Sequence, residues 1–165
     1  GGVEWNYTER DQAVKAGSST SVIRNDEVVI GDVVTFYHPD GEEDPAYRYV
    51  VDIIKIQNLI YNVNSRFRGK PWDGAPLIPD DQPTVNPNAR RPKDAKAQIF
   101  AIADAAALAA LISDADYTKR NTQAAISSTN AKRLDIAMPV KLSGNANIID
   151  TTVFFTFYYG AIAAA

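Results

Sequence analysis

The sequence predicts an α+β domain: a small mixed β-sheet packed by two long helices, with an extended C-terminal strand offered to a neighbouring subunit. Three observations predict it. Tyr49, Ile53, Ile56, Ile60, Val63 and Phe67 recur at alternating spacings of four and three, the repeat of one helical face. Residues 93–113 are Ala-rich and favour a second helix. β-branched and aromatic residues cluster at 21–37, at 133–140 and near the C-terminus. A chain of 165 residues holds one domain with a real core rather than two. Residues 1–165 are therefore read as a single domain.

Taken in order, Thr8-Glu9-Arg10-Asp11 reads as a capping box, with Asp11 in place of the usual Glu. It opens a short helix from Glu9 to Ala16 that Gly17 stops in the left-handed conformation. Ser21–Arg24 and Glu27–Ile30 flank Asn25-Asp26, a two-residue hairpin signal. Val33–Tyr37 is a further strand, and Asp40–Pro45 an acidic loop. The helix carrying the apolar repeat follows, its stripe widened by Val50, Ile54 and Tyr61. Arg66, Arg68 and Lys70 complement the carboxyl end of its dipole.

Residues 69–92 hold six of the nine prolines and no periodicity, a long excursion of the kind that is functional or poorly ordered. On the Ala-rich helix from Lys93 to Ser113, Ile99, Ile102, Ala106, Leu108 and Ala109 are expected to face inward. Residues 116–129 are polar and carry no clear period. Arg133–Val140 reads as a strand ended by Pro139, and Ser143–Asn147 as the turn into the terminal strand.

In that terminal strand, Val153, Phe155, Phe157 and Tyr159 point one way and Phe154, Thr156 and Tyr158 the other. Both faces are largely aromatic, and neither Lys nor Pro blunts the run. It must be covered on both sides, either as a central strand of its own sheet or as a donor to a partner's.

Composition narrows the chemistry. Hydrophobic residues at 45% and charged residues at 22% are ordinary for a globular domain. There is no cysteine, so neither a disulfide nor a thiolate metal site forms. A net charge of −3 argues against a dedicated nucleic-acid binder. No run of about 18 apolar residues marks a membrane span. The start, Gly1-Gly2-Val3-Glu4-Trp5, lacks the basic and apolar regions of a signal peptide, and without an initial Met the chain is expected to be processed, tagged or cut from something larger.

Candidate sites are few. His38 is the sole histidine; it stands before Pro39 with no nucleophile elbow nearby, which fits a structural role better than a general base. Asp40, Glu42, Glu43 and Asp44 lack the spacing of a calcium loop, and Asp80-Asp81 fares no better, so no metal or other cofactor is expected. Arg66, Arg68, Lys70 and Trp72 interleave cations with aromatics as single-strand binders do, or simply close a helix. Arg90, Arg91, Lys93 and Lys96 place cations at a helix amino end, against its dipole. An acidic partner surface or a solvated loop would each account for them. Asn6-Tyr7-Thr8 matches a glycosylation sequon that means little without a secretory signal.

With these elements in order, the chain resembles the C-terminal domain of contractile-tail sheath proteins, particularly those of Mu-like phages and prophages. Three segments carry the likeness: Thr8–Gly17 running into the hairpin and Val33–Tyr37; the helix Asp52–Phe67; and Thr129–Asp135, an N-x-x-R-L-D run before Pro139 and the aromatic strand. Such sheath proteins are much longer, and only their last part is matched. The Pro-rich loop and the Ala161–Ala165 tail have no counterpart in the pattern.

The resemblance implies a structural protein without catalysis. Subunits would form six-fold stacked rings around a tail tube, joined by arms, 1–7 at the N-terminus and 148–165 at the C-terminus, that add a strand to a neighbour's sheet and act as hinges during contraction. Val153, Phe154, Phe155, Thr156, Phe157, Tyr158 and Tyr159 would be the inter-subunit strand. Arg90, Arg91, Lys93 and Lys96 would face the tube. Implied partners are further copies of the chain, the tail tube protein, and baseplate and tail terminator proteins, in a virion tail assembled in the bacterial cytoplasm, with neither membrane nor nucleic acid bound. The alternative, from the residues alone, is a nucleic-acid-binding module built on 66–72.

Overall fold

In the computed structural model, residues 4–37, 47–145 and 151–152 are described. They form an α+β arrangement in the order α1 (Tyr7–Lys15), β1 (Ser21–Arg24), β2 (Glu27–Ile30), α2 (Val50–Phe67), α3 (Pro92–Leu108), α4 (Ala115–Asn121), β3 (Gln123–Ile126) and β4 (Leu134–Ala137). His38, the acidic loop at 40–45 and the strand at 153–159 lie outside the described residues.

Helix α1 starts earlier than the Thr8 reading allows. Asn6 is the cap: its side chain accepts from the Glu9 amide at 3.0 Å, and Glu9 reaches back to the Asn6 amide at 2.8 Å. The same four-residue template fits two residues upstream, where Glu supplies the longer reach that Asp11 lacks. Asp11 instead pairs with Lys15 at 2.9 Å. The helix ends as expected, with Gly17 at φ +79°. The Gly17 amide bonds to Val14 and the Ser18 amide to Ala13, the paired closure of a Schellman motif.

Strands β1 and β2 pair antiparallel from Ser21↔Ile30 to Arg24↔Glu27. Asn25 and Asp26 both take positive φ, 52° and 64°, the geometry of a type I′ turn. Residues 33–37 make one bridge rather than a strand. Val34 pairs with Tyr49, with Thr35 N donating to Arg48 O at 2.7 Å and Val50 N to Val33 O at 3.1 Å.

In place of one mixed sheet, the described strands form two separate two-stranded antiparallel sheets, β1–β2 and β3–β4. The core gathers on α3, which contacts α2, α4 and β3, while β1 and β2 chiefly contact each other. Ala95, Ile99 and Ala103 are fully buried, and Leu59, Ala106 and Ile112 nearly so. Met138, Val140 and Leu142 close the cluster from beyond β4. Alanines let neighbouring backbones approach α3 closely, and Ile99 is the largest apolar side chain wholly enclosed. Contrary to the sequence reading, Leu108 at the end of α3 is 91% exposed.

The buried line of α2 runs through Lys55 and Leu59, offset from the apolar stripe, and Ile54, Ile60 and Tyr61 remain exposed. The polar stretch 116–129 resolves into α4 and β3. Asp114 caps α4, accepting from the Tyr117 amide at 2.7 Å. That bond, and then Lys141 at 3.2 Å, hold the Asp114 carboxyl below its ordinary 3.8. Lys119 ties α4 to Asp104 of α3. The N-x-x-R-L-D run spans the end of the β3–β4 connection and the first two residues of β4. Asn130 accepts from the Lys132 amide through its side chain and from the Arg133 amide through its carbonyl, and Arg133 pairs with Asp135.

Candidate functional site

The β1–β2 hairpin is the surface best suited to recruit another segment. Among the described residues each strand is the edge of a two-stranded sheet, so each carries a row of backbone groups that no other described strand pairs. Alternation divides the side chains. Val22 and Val29, paired across the ladder, turn inward and are half-buried. On the other face Ile23, Val28 and Ile30 are 50%, 75% and 73% exposed. Isolated two-stranded hairpins are marginal in water, and an uncovered apolar face adds to the tendency to pair.

The root of this hairpin is tightly held. Thr20 N donates to Asp32 O, and Gly31 N to Thr20 O, both at 2.9 Å. The Thr20 hydroxyl also accepts from the Asp32 amide, and the Ser19 hydroxyl from the Val34 amide. A Cβ at Gly31 would sit 3.1 Å from Thr20 Oγ1 and Val22 Cγ1, so the glycine permits this crossing. Trp5 and Glu4 line a 450 Å³ cleft with Val22, Ile23 and Val28, bringing the residues before α1 to the hairpin's flank.

At the other end of the chain, Lys55 fixes the path toward the C-terminus. It is 8% exposed, and its ammonium donates to Asp52 Oδ1, the Ser143 carbonyl and Asn145 Oδ1. Thr151 and Thr152 are exposed beyond it. The inter-subunit strand expected at 153–159 lies outside the described residues.

The four cations expected to face a tube have mostly internal work. Arg90 donates to the carbonyls of Pro87 and Ala89, Arg91 to that of Gln82, and Lys93 to that of Asp80. Asp94 completes the cap of α3 by accepting from the Arg91 amide at 2.9 Å, and Pro92 occupies the first turn, where its missing N–H costs nothing. These residues stitch the Pro-rich excursion to the start of α3, which explains cations at a helix amino end. Lys96 sits half-buried one turn on.

The basic-aromatic segment is split. Arg66 donates to Gln98 of α3 at 2.5 Å. Trp72 stands edge-on to Phe67, centroids 4.9 Å apart, and is half-buried. Arg68 and Lys70 are exposed. Among the described residues no group of three acidic or histidine side chains could hold a metal, and no helix is long and apolar enough to cross a membrane.

Sequence reading missed the outward hairpin face and Lys55. The first was visible as apolar residues at both parities of β1–β2. The second was a charge inside an apolar stripe, one turn after Asp52. No family model matches the chain, and no curated protein matches it.

Proposed function

We propose that this chain is a structural subunit of a contractile phage-tail or tail-like sheath, polymerising around an inner tube by strand exchange and contracting to drive that tube. The observation that carries the reading is the β1–β2 hairpin, whose outer edges no other described strand pairs and whose face at Ile23, Val28 and Ile30 is exposed. Its complement is the unblunted aromatic run Val153–Tyr159, a donor by sequence. The resemblance of Thr8–Gly17, Asp52–Phe67 and Thr129–Asp135 to sheath C-terminal domains supports the same assignment. Main-chain bonding between arms would keep subunits linked while rings rotate, because it does not depend on side-chain fit. In this reading the partners are further copies in six-fold rings, the tail tube, and baseplate and terminator proteins, and the chain works in a virion tail built in the bacterial cytoplasm, without catalysis.

The test is negative-stain electron microscopy of the full chain and of a chain lacking Asp150–Ala165. Tubes or stacked rings that vanish with the deletion are expected. Small monodisperse particles in both samples would overturn the reading. Salt-dependent binding of single-stranded nucleic acid in those samples would then favour a module built on Arg66, Arg68, Lys70 and Trp72.

A further inference from the structure

The excursion between Pro76 and Arg90 is exposed along its crest yet tied at its root. Leu77 and Arg90 form a parallel bridge, with Arg90 N donating to Pro76 O at 2.8 Å and Ile78 N to Arg90 O at 3.0 Å. Arg91 and Lys93 hold the carbonyls of Gln82 and Asp80, and Asp80 Oδ1 accepts from the Lys93 amide at 2.8 Å. Within the crest, Asn86 N donates to Thr84 Oγ1 and Asn88 N to Asn86 Oδ1. Pro79, Pro83 and Pro87 restrict φ along its length. Every residue from Pro79 to Asn88 is nonetheless exposed, and Val85 is 103% exposed, as open as in an extended chain. A loop already ordered in this way loses little conformational entropy on binding. Its apex carries an apolar side chain, with the acid Asp81 four residues before it.

Beside the root of the same loop lies a cleft of 520 Å³. Phe67, Trp72, Leu134 and Ile136 supply apolar walls, and Ala131 and Lys132 contribute from the β3–β4 connection. The crest does not fill this cleft in its own chain, since Val85 is fully exposed. Neither Asp81 nor Lys132 makes a salt bridge with a described residue. The chain thus carries an apolar plug with a carboxylate nearby, and an apolar socket with an ammonium in its lining.

We propose that the Asp81–Val85 crest of one copy seats in the Phe67–Trp72 cleft of a second copy, with Val85 as the plug and Asp81 facing Lys132. In this proposal the plug of each copy enters the socket of the next rather than exchanging reciprocally with one partner, so the contact propagates head to tail. It requires no strand exchange and stands apart from the sheath reading.

The absence of cysteine makes the test direct. Val85→Cys and Ala131→Cys are introduced singly into full-length chains, both at exposed positions, and the two are mixed under mild oxidation. The mixture is expected to give disulfide-linked dimers and nothing longer, at least about tenfold faster than Val85→Cys mixed with a Gln57→Cys control, because docking raises the local thiol concentration. A chain carrying both substitutions gives a ladder of longer species. Lys132→Glu in the Ala131→Cys chain slows the linkage, and Asp81→Lys in the Val85→Cys chain restores it. Linkage no faster than the control overturns the contact. So does protection of the Ala131→Cys thiol by a single-stranded oligonucleotide without linkage, which would assign the cleft to nucleic acid. Tubes without linkage refute this contact and leave the sheath reading standing; linkage without tubes does the reverse.

Discussion

Lys55 is a cation placed where an apolar stripe would lead one to expect packing alone. Its ammonium has three donors, and Asp52, Ser143 and Asn145 supply three acceptors. Lys55→Met keeps much of the stem but strands the Ser143 carbonyl. It is expected to destabilise the domain by about 1–3 kcal/mol, the cost of an unsatisfied buried polar group. Amide exchange at 143–145 should quicken at the same time. An unchanged melting temperature with unchanged exchange would show that the clamp contributes nothing.

Asp114 gives a pH signature at the same scale. Its carboxyl is held below the ordinary 3.8 by the Tyr117 amide first and by Lys141 second. A carboxyl depressed in the folded state contributes stability above its unfolded value and loses it as pH falls through the lowered one. Thermal melts should therefore separate the native chain from Asp114→Ala at neutral pH. The gap should close only in strong acid, and a gap that widened there would contradict the assignment.

Among the elements, the strands and turn of the β1–β2 hairpin were legible in the sequence, because Asn25-Asp26 is a turn signal with a backbone mechanism. The turn still places Asp26 at φ +64°, where a side chain is strained. Asp26→Gly removes that strain and is expected to stabilise the hairpin by up to about 1 kcal/mol, read from chemical denaturation. Helix α2 was legible as a helix but not in orientation. Periodicity says that Ile54, Ile60 and Tyr61 share a broad face; it does not say what covers it, and in this chain Lys55 and Leu59 face the core instead. Helix α4 and β3 were illegible because an Asp-capped turn and an Ala-rich strand have weak local preferences, and packing on α3 decides them. The Arg90–Lys93 cluster could be identified but not interpreted, since its acceptors are loop carbonyls that composition does not reveal.

At the scale of the whole molecule, assembly should separate from folding. The described core centres on α2, α3 and the segment around Ile112. Under the strand-exchange reading, changing Phe155 and Phe157 to Lys is expected to abolish polymers while leaving a folded, soluble monomer, as judged by sedimentation and circular dichroism. Loss of folding would mean that the strand completes its own domain. The exposed hairpin was only partly legible for a related reason: an apolar run is written in consecutive residues, whereas an open sheet edge is a three-dimensional feature.

The Val34–Tyr49 bridge has a mechanical consequence. Tension applied to the hairpin reaches the start of α2 through the Thr35–Arg48 and Val33–Val50 backbone bonds. With the Thr35 hydroxyl's bond to the Tyr47 carbonyl at 2.6 Å, these local bonds are weaker than the helix packing behind them. Pulled by β1–β2 in a force experiment, the molecule should yield at this junction first, releasing slack while α3 and its neighbours stay intact. The bridge would then act as a fuse that protects the core from strain imposed at its edge.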